Sequence, residues 1–125
     1  MTQLKVLQVE DDLDIQEIAR LSLETIGGFD VLQCSSGAQA LEKAQDFAPD
    51  VLLLDVMMPE MSGDVVLGHL RNLDGLEKTP AIFMTARAQK PEVEELKSLG
   101  AIDVILKPFD PMELPGQILA ALDRA

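Results

Sequence analysis

Glu10 and Asp11 follow the apolar run Leu4–Val9, Asp55 follows Val51–Leu54, Thr85 follows Ala81–Met84, and Lys107 follows Ile102–Leu106. If these runs are strands of one parallel α/β sheet, their C-terminal ends meet at one edge, where three carboxylates, a hydroxyl and an ammonium converge. Two carboxylates about 4 Å apart repel by roughly 4 kcal/mol at an effective dielectric near 20. A whole domain is stable by only roughly 5–15 kcal/mol. Such a cluster must bind a cation, take up a proton, or weaken the fold. Oxygen ligands with no His or Cys beside them select a hard cation, Mg²⁺ retaining several waters, with Mn²⁺ as an alternative. A carboxylate next to a cation and a fixed ammonium is also equipped to act as a nucleophile and form an acyl phosphate.

The intervals agree with that geometry. Asp11 to Asp55 spans 44 positions, Asp55 to Thr85 spans 30 and Thr85 to Lys107 spans 22. Each is long enough for a crossover helix between parallel strands. Five ordered landmarks stand in the chain: Val9-Glu10-Asp11-Asp12, Leu54-Asp55-Val56-Met57-Met58-Pro59, Met61-Ser62-Gly63, Thr85-Ala86 and Lys107-Pro108-Phe109. Together, from about Leu4 to Leu122, they resemble the receiver domain of two-component response regulators. The resemblance implies that Asp55 is the phosphoacceptor and that Asp11 and Asp55 are direct ligands of a divalent cation. Glu10 is then a ligand through water, and the Met57 backbone carbonyl a further ligand. Thr85 and Lys107 are implied to bind the phosphoryl oxygens. The implied partners are a histidine kinase or histidine phosphotransfer protein and a downstream protein that meets the fourth helix, fifth strand and fifth helix. By the same analogy, kinase specificity lies near the first helix.

Each residue also has a plainer reading. An Asp after a strand commonly caps the next helix, and Asp12 or Asp14 is expected to do so here. Thr85 could serve only as a loop cap and Lys107 only as a surface lysine, but Lys107-Pro108 ends a strand, and a cis bond is expected there, as in the family. One position departs from the family pattern. Val104 stands three residues before Lys107, where receivers commonly carry an aromatic ring, and a stiff, small valine has no ring swing to report phosphorylation. The switch is then expected in the loop Ala86–Pro91 and the fourth helix, with the surface around Val104 as readout face. Met57 and Arg87, two positions beyond Asp55 and Thr85, are expected beside the phosphoryl group. Methionine lacks a strong group to hold a hydrolytic water, and Arg87 either covers the phosphoryl group or extends into solvent.

The chain has 125 residues, 47% of them hydrophobic, enough for one core; residues 1–125 are read as a single receiver domain with no output domain. No run of about twenty apolar residues occurs, and Met1-Thr2-Gln3 leaves no room for a signal peptide, so a cytoplasmic protein is expected. The net charge is −12, and setting Glu10, Asp11, Asp55 and Lys107 aside still leaves −10. A surface that acidic repels nucleic acid and anionic membranes, so neither is an expected direct partner. Cys34 reads as a small buried hydrophobe and His69 as a surface residue with no chemical role.

Five short β-rich runs alternate with helical stripes: Ile15, Ile18, Ala19, Leu23 and Ile26, stopped by Gly27; Ala38, Leu41 and Ala44 behind a Ser36/Gln39 capping box; Val66, Leu67, Leu70 and Leu73; Val93, Leu96 and Leu99, stopped by Gly100; and Leu114, Ile118, Ala121 and Leu122. Pro111 and Pro115 crowd the last, which is expected to begin near Leu114 with Pro115 in its first turn. The pattern predicts a doubly wound five-stranded parallel sheet with five helices, and the resemblance supplies the flavodoxin-like order 2-1-3-4-5.

Function therefore reads as a Mg²⁺-dependent phosphoacceptor signalling domain rather than an enzyme acting on a separate substrate. One alternative is a phosphorylation-independent adaptor that keeps the fold. Another is a carboxylate-nucleophile phosphatase of haloacid-dehalogenase type, but that family places an Asp-x-Asp after its first strand, where this chain has Glu10-Asp11-Asp12-Leu13.

Overall fold

Apolar, β-branched runs form five strands in the computed structural model, which describes residues 3–125: Lys5–Val9 (β1), Asp30–Cys34 (β2), Val51–Asp55 (β3), Ala81–Thr85 (β4) and Asp103–Leu106 (β5). All pair in parallel in the order β2-β1-β3-β4-β5, as expected. β3 and β4 are buried at every residue, which is why their sequences do not alternate. Asp55 and Thr85 lie in the last strand positions rather than just past them, because Asp55 stays in register with Met84 and Thr85 with Leu106.

Five helices cover the sheet: Leu13–Leu21 (α1), Gly37–Phe47 (α2), Gly63–Leu70 (α3), Lys90–Ser98 (α4) and Leu114–Arg124 (α5). Val6, Leu53 and Ile82 pack on one face with Ala19 of α1 and Ile118 of α5. Leu7, Leu52, Leu54 and Phe83 pack on the other with Ala40 of α2, Leu67 of α3 and Leu96 of α4. Among the described residues no helix is long and apolar enough to cross a membrane. Cys34 is a buried free thiol, its pKa raised by burial, and His69 is exposed on α3. The Lys107–Pro108 bond is cis.

The helical stripes hold in part. After Leu21 the first helix widens into a π-turn over Ser22–Ile26, with the Gly27 N–H donating five residues back to the Ser22 carbonyl at 3.1 Å. The extra residue rotates the phase: Ser22 and Leu23 turn inward, while Leu21 and Ile26 face solvent. Ile18 is exposed too, flanking the stripe centred on Ala19. The buried Ser22 hydroxyl donates to the Pro111 carbonyl. Gly27 keeps a right-handed φ of −81°, and the left-handed turn falls on Gly28 at 69°. In α2 the inward positions are Gly37, Ala40 and Ala44, and Ala38 is exposed. Leu99 is exposed because α4 ends at Ser98. Leu114 opens α5 with Pro115 in the first turn.

Capping fixes the entries near the sheet edge. Asp12 Oδ1 accepts from the N–H groups of Asp14 at 2.9 Å and Ile15 at 3.3 Å, so Asp12 is the capping side chain and Asp14 contributes only its backbone N–H. Ser36 Oγ accepts the Gln39 N–H at 3.2 Å, and Gln39 reaches back to the Ser35 N–H at 2.8 Å, one residue earlier than in a capping box. At α3 the helix start lies directly on the strand carrying Asp55. The Gly63 N–H donates to the Val56 carbonyl at 3.0 Å, and a Cβ on Gly63 would stand 2.3 Å from the Asp55 carbonyl oxygen. Only glycine allows that approach.

Gly63→Ala should therefore lower stability by about 1–3 kcal/mol through overpacking. Gly68→Ala in the same helix, where a Cβ meets nothing within 4 Å, should raise it by roughly 0.5–1 kcal/mol. Urea unfolding of both variants checks this, and equal effects would contradict it.

Candidate functional site

β1, β3, β4 and β5 deliver their C-terminal residues to one edge, and the side chains anticipated from the sequence meet there. Glu10, Asp11 and Asp55 each offer a carboxylate oxygen within 4.8 Å of the others. Glu10 is 1% exposed and Asp55 3%, while Asp11 faces solvent. Lys107 Nζ lies 3.0 Å from Glu10 Oε1 and 3.2 Å from Asp55 Oδ1. One ammonium thus stands between two buried carboxylates. That leaves the three-carboxylate group with excess negative charge in a low-dielectric setting.

The titration behaviour follows. Burial, then a hydrogen bond and repulsion from Asp55, push the Glu10 carboxyl from 4.5 up to about 7, against the opposing pull of Lys107 and the Asp12 N–H. For Lys107, burial favours the neutral amine, but hydrogen bonds and attraction from Glu10 and Asp55 outweigh it and raise the pKa. The two signs differ in consequence. A carboxyl raised in the folded state binds its proton more tightly folded than unfolded, so its contribution to stability is lost as pH rises from 4.5 through about 7. Raised Lys107 contributes stability throughout that range and loses it only above its ordinary titration region.

The backbone holds these groups in place. The Glu10 N–H donates to the Cys34 carbonyl at 3.0 Å, and the Gln16 side chain donates to the Glu10 carbonyl at 2.5 Å, so both faces of the peptides around Glu10 are tied. Glu10 Oε2 accepts the Asp12 N–H at 3.3 Å. The Lys107 N–H donates to the Thr85 carbonyl at 2.8 Å, fixing the exit of β5. Thr85, 4% exposed, accepts the Arg87 N–H on Oγ at 3.1 Å. With that lone pair used, its own O–H is free to donate elsewhere.

Met57 is 73% exposed just beyond Asp55. Met57 and Arg87 line one shallow cleft with Val56 and Thr85 that runs between α3 and α4, past Asp64 and Glu95, and the cleft does not include Glu10, Asp11 or Asp55. Arg87 is exposed and its guanidinium pairs with no carboxylate among the described residues. Val104 is half-buried in β5 and packs toward the α2–α3–α4 layer. Gln16 was missed from the sequence. Its only signal there is proximity to Glu10 in a stretch that reads as an ordinary amphipathic helix.

The oxygen-only donor set, three carboxylates within reach of one another and no imidazole or thiolate among them, suits a hard divalent cation. A carboxylate facing such a cation, an ammonium and a free hydroxyl can take part in phosphoryl chemistry.

Comparison with known proteins points the same way. The family model described as response regulator receiver domain matches residues 6–119. The transcriptional regulatory protein KdpE of Mycobacterium tuberculosis is 37% identical over 119 residues, covering 95% of this chain and 51% of that protein. The alkaline phosphatase synthesis transcriptional regulatory protein PhoP of Bacillus subtilis is 35% identical over 121 residues, covering 97% of this chain and 49% of that protein. The chain thus spans about half the length of these two regulators. The chemotaxis response regulator CheY4 of Vibrio cholerae superposes with a TM-score of 0.88 at 31% identity, covering 96% of this chain and 99% of that one. The chain belongs to the response regulator receiver domain family of two-component systems, whose function is phosphorylation-based signalling.

Proposed function

We propose that Asp55 is the phosphoacceptor of this receiver, taking a phosphoryl group from a phosphohistidine of a sensor kinase or phosphotransfer protein. The observation that carries this reading is the Glu10, Asp11 and Asp55 cluster with Lys107 between two of its members. Lys107 engages Asp55 Oδ1, leaving Oδ2 for attack on phosphorus. The P–N bond to imidazole breaks as the P–O bond forms, giving an acyl phosphate. The Lys107 ammonium then lies within reach of the new phosphoryl oxygens, and the Thr85 O–H has a proton to donate to one of them. Glu10, Asp11, Asp55 and the Met57 backbone carbonyl would hold Mg²⁺, or Mn²⁺, with Glu10 acting through water. The chemistry such a cation supplies is neutralisation and in-line orientation of the transferring group.

Signalling follows from a shift between two conformations, read by a partner that prefers one of them. Val104 leaves no aromatic ring to rotate, so Thr85, the loop from Ala86 and helix α4 carry the change. The readout face is α4, β5 and α5, where Leu99, Leu106 and Leu119 are exposed. Beside α5 on the same face of the sheet, exposed Leu13, Ile18, Leu21 and Ile26 of the first helix and its π-turn form the apolar surface on which a kinase or phosphotransfer protein docks. The acidic surface favours protein partners over nucleic acid.

Incubation with acetyl phosphate and Mg²⁺ should add one phosphoryl mass to the intact protein, and Asp55→Ala or a chelator should abolish it. No increment in the folded parent, even with a kinase as donor, would overturn the assignment. Because Met57 offers no group to position a hydrolytic water and an amide can hydrogen-bond one, Met57→Asn should lose its phosphoryl group several-fold faster than the parent. Phosphorylated lifetimes measure this, and an equal or longer lifetime in the variant would contradict it.

A further inference from the structure

Gln8 is an anomaly in the core. It sits between Leu7 and Val9 in β1, is 1% exposed, and its Nε2 has no hydrogen-bond partner among the described residues. Burying an amide with an unmet donor is unfavourable beside an apolar residue of similar size, so packing alone does not account for it. Its Oε1 accepts from Gln33 Nε2 of β2 at 2.7 Å, across the register pair Gln8 and Gln33. The same Gln33 Nε2 donates to the main-chain carbonyl of Gln16 in α1 at 2.6 Å. Gln16 Nε2 in turn donates to the Glu10 carbonyl at 2.5 Å and to Ser35 Oγ at 3.1 Å.

The chain of donors has a fixed direction. The Gln16 and Glu10 carbonyls can only accept, so each requires an N–H₂ facing it, and that choice at Gln33 obliges Gln8 to present its oxygen. The result is a bridge from buried Gln8 in the sheet, through half-buried Gln33 and Gln16, to one peptide plane. The Glu10 carbonyl belongs to the peptide that joins Glu10 to Asp11, so whatever orients it sets the origin of both carboxylate side chains.

We propose that Gln16, held by Gln33 and Gln8, is a positioning residue that sets the divalent-cation affinity of the site by fixing the Glu10–Asp11 peptide. This rests on the metal-site reading above. Gln16 touches neither cation nor phosphoryl group; it acts through the backbone that carries two of the ligands. Outer partners of metal ligands commonly change affinity by about 10–100-fold when removed.

Mg²⁺ titration of the parent, Asp11→Ala, Gln16→Met and the double variant Gln8→Val/Gln33→Val, followed by amide chemical shifts, tests it. Gln16→Met keeps length but loses the donor, and the double variant replaces the buried amides with strand-forming residues, so one reports if the other does not fold. Saturable binding in the parent that Asp11→Ala abolishes establishes the site. Gln16→Met should then bind Mg²⁺ about tenfold more weakly or worse, and the double variant more weakly than the parent, each retaining native amide dispersion. Unchanged affinity in folded Gln16→Met would overturn the positioning role while leaving the metal site intact. Absence of any parent binding would instead overturn the metal-site reading on which it rests.

Discussion

The ammonium of Lys107, set between Glu10 and Asp55 at 3.0 and 3.2 Å, is the interaction on which the rest of this molecule turns. Without it, two buried carboxylates and a third at their edge would face one another in a medium that screens poorly. With it, the repulsion is reduced but not cancelled. The Glu10 carboxyl is raised to about 7, first by burial and then by its hydrogen bond with and repulsion from Asp55. A site left short of positive charge is one that a cation and then a phosphoryl group can each reorganise, and the fold tolerates this because the cost is confined to one sheet edge.

The remainder of the architecture serves to hold that edge. β3 and β4 are apolar at every position before their last residue and buried on both faces, which makes them rigid supports for Asp55 and Thr85. The Thr85 carbonyl fixes the Lys107 N–H, and a bare glycine lets α3 begin against the Asp55 carbonyl. On the other flank the Asp12 cap and the Gln16 amide tie α1 to the loop bearing Glu10 and Asp11. Two helices and four strands thus converge on a few side chains, and small changes there are transmitted outward along packed elements.

Much of this was legible in the chain. Strand positions followed from short apolar runs, and the convergence of Glu10, Asp11, Asp55, Thr85 and Lys107 from where those runs end. The exposure of Ile26 was not legible, because a period of 3.6 residues assumes a regular helix and the π-turn at Ser22–Ile26 breaks it, while Ile18, ahead of that turn, only flanks the stripe centred on Ala19. Nor were the glutamines, since Gln16 and Gln33 look like solvent-facing polar residues until the register of β1 on β2 pairs Gln8 with Gln33. Gln8 alone was visible, as a polar residue in an apolar strand, but its partners lie in separate elements. Side-chain networks of that kind depend on tertiary placement, which local periodicity does not encode.

The most direct test of the account is thermal unfolding between pH 5 and 8 in chelator and in Mg²⁺, comparing the parent with Glu10→Gln. If uncompensated carboxylate charge governs the site, the metal-free parent loses stability across the window from 4.5 to about 7 in which Glu10 ionises. Glu10→Gln should lose less, and Mg²⁺ should restore the parent most at the alkaline end. Parallel profiles for parent and variant, with no gain from Mg²⁺ at any pH, would contradict it.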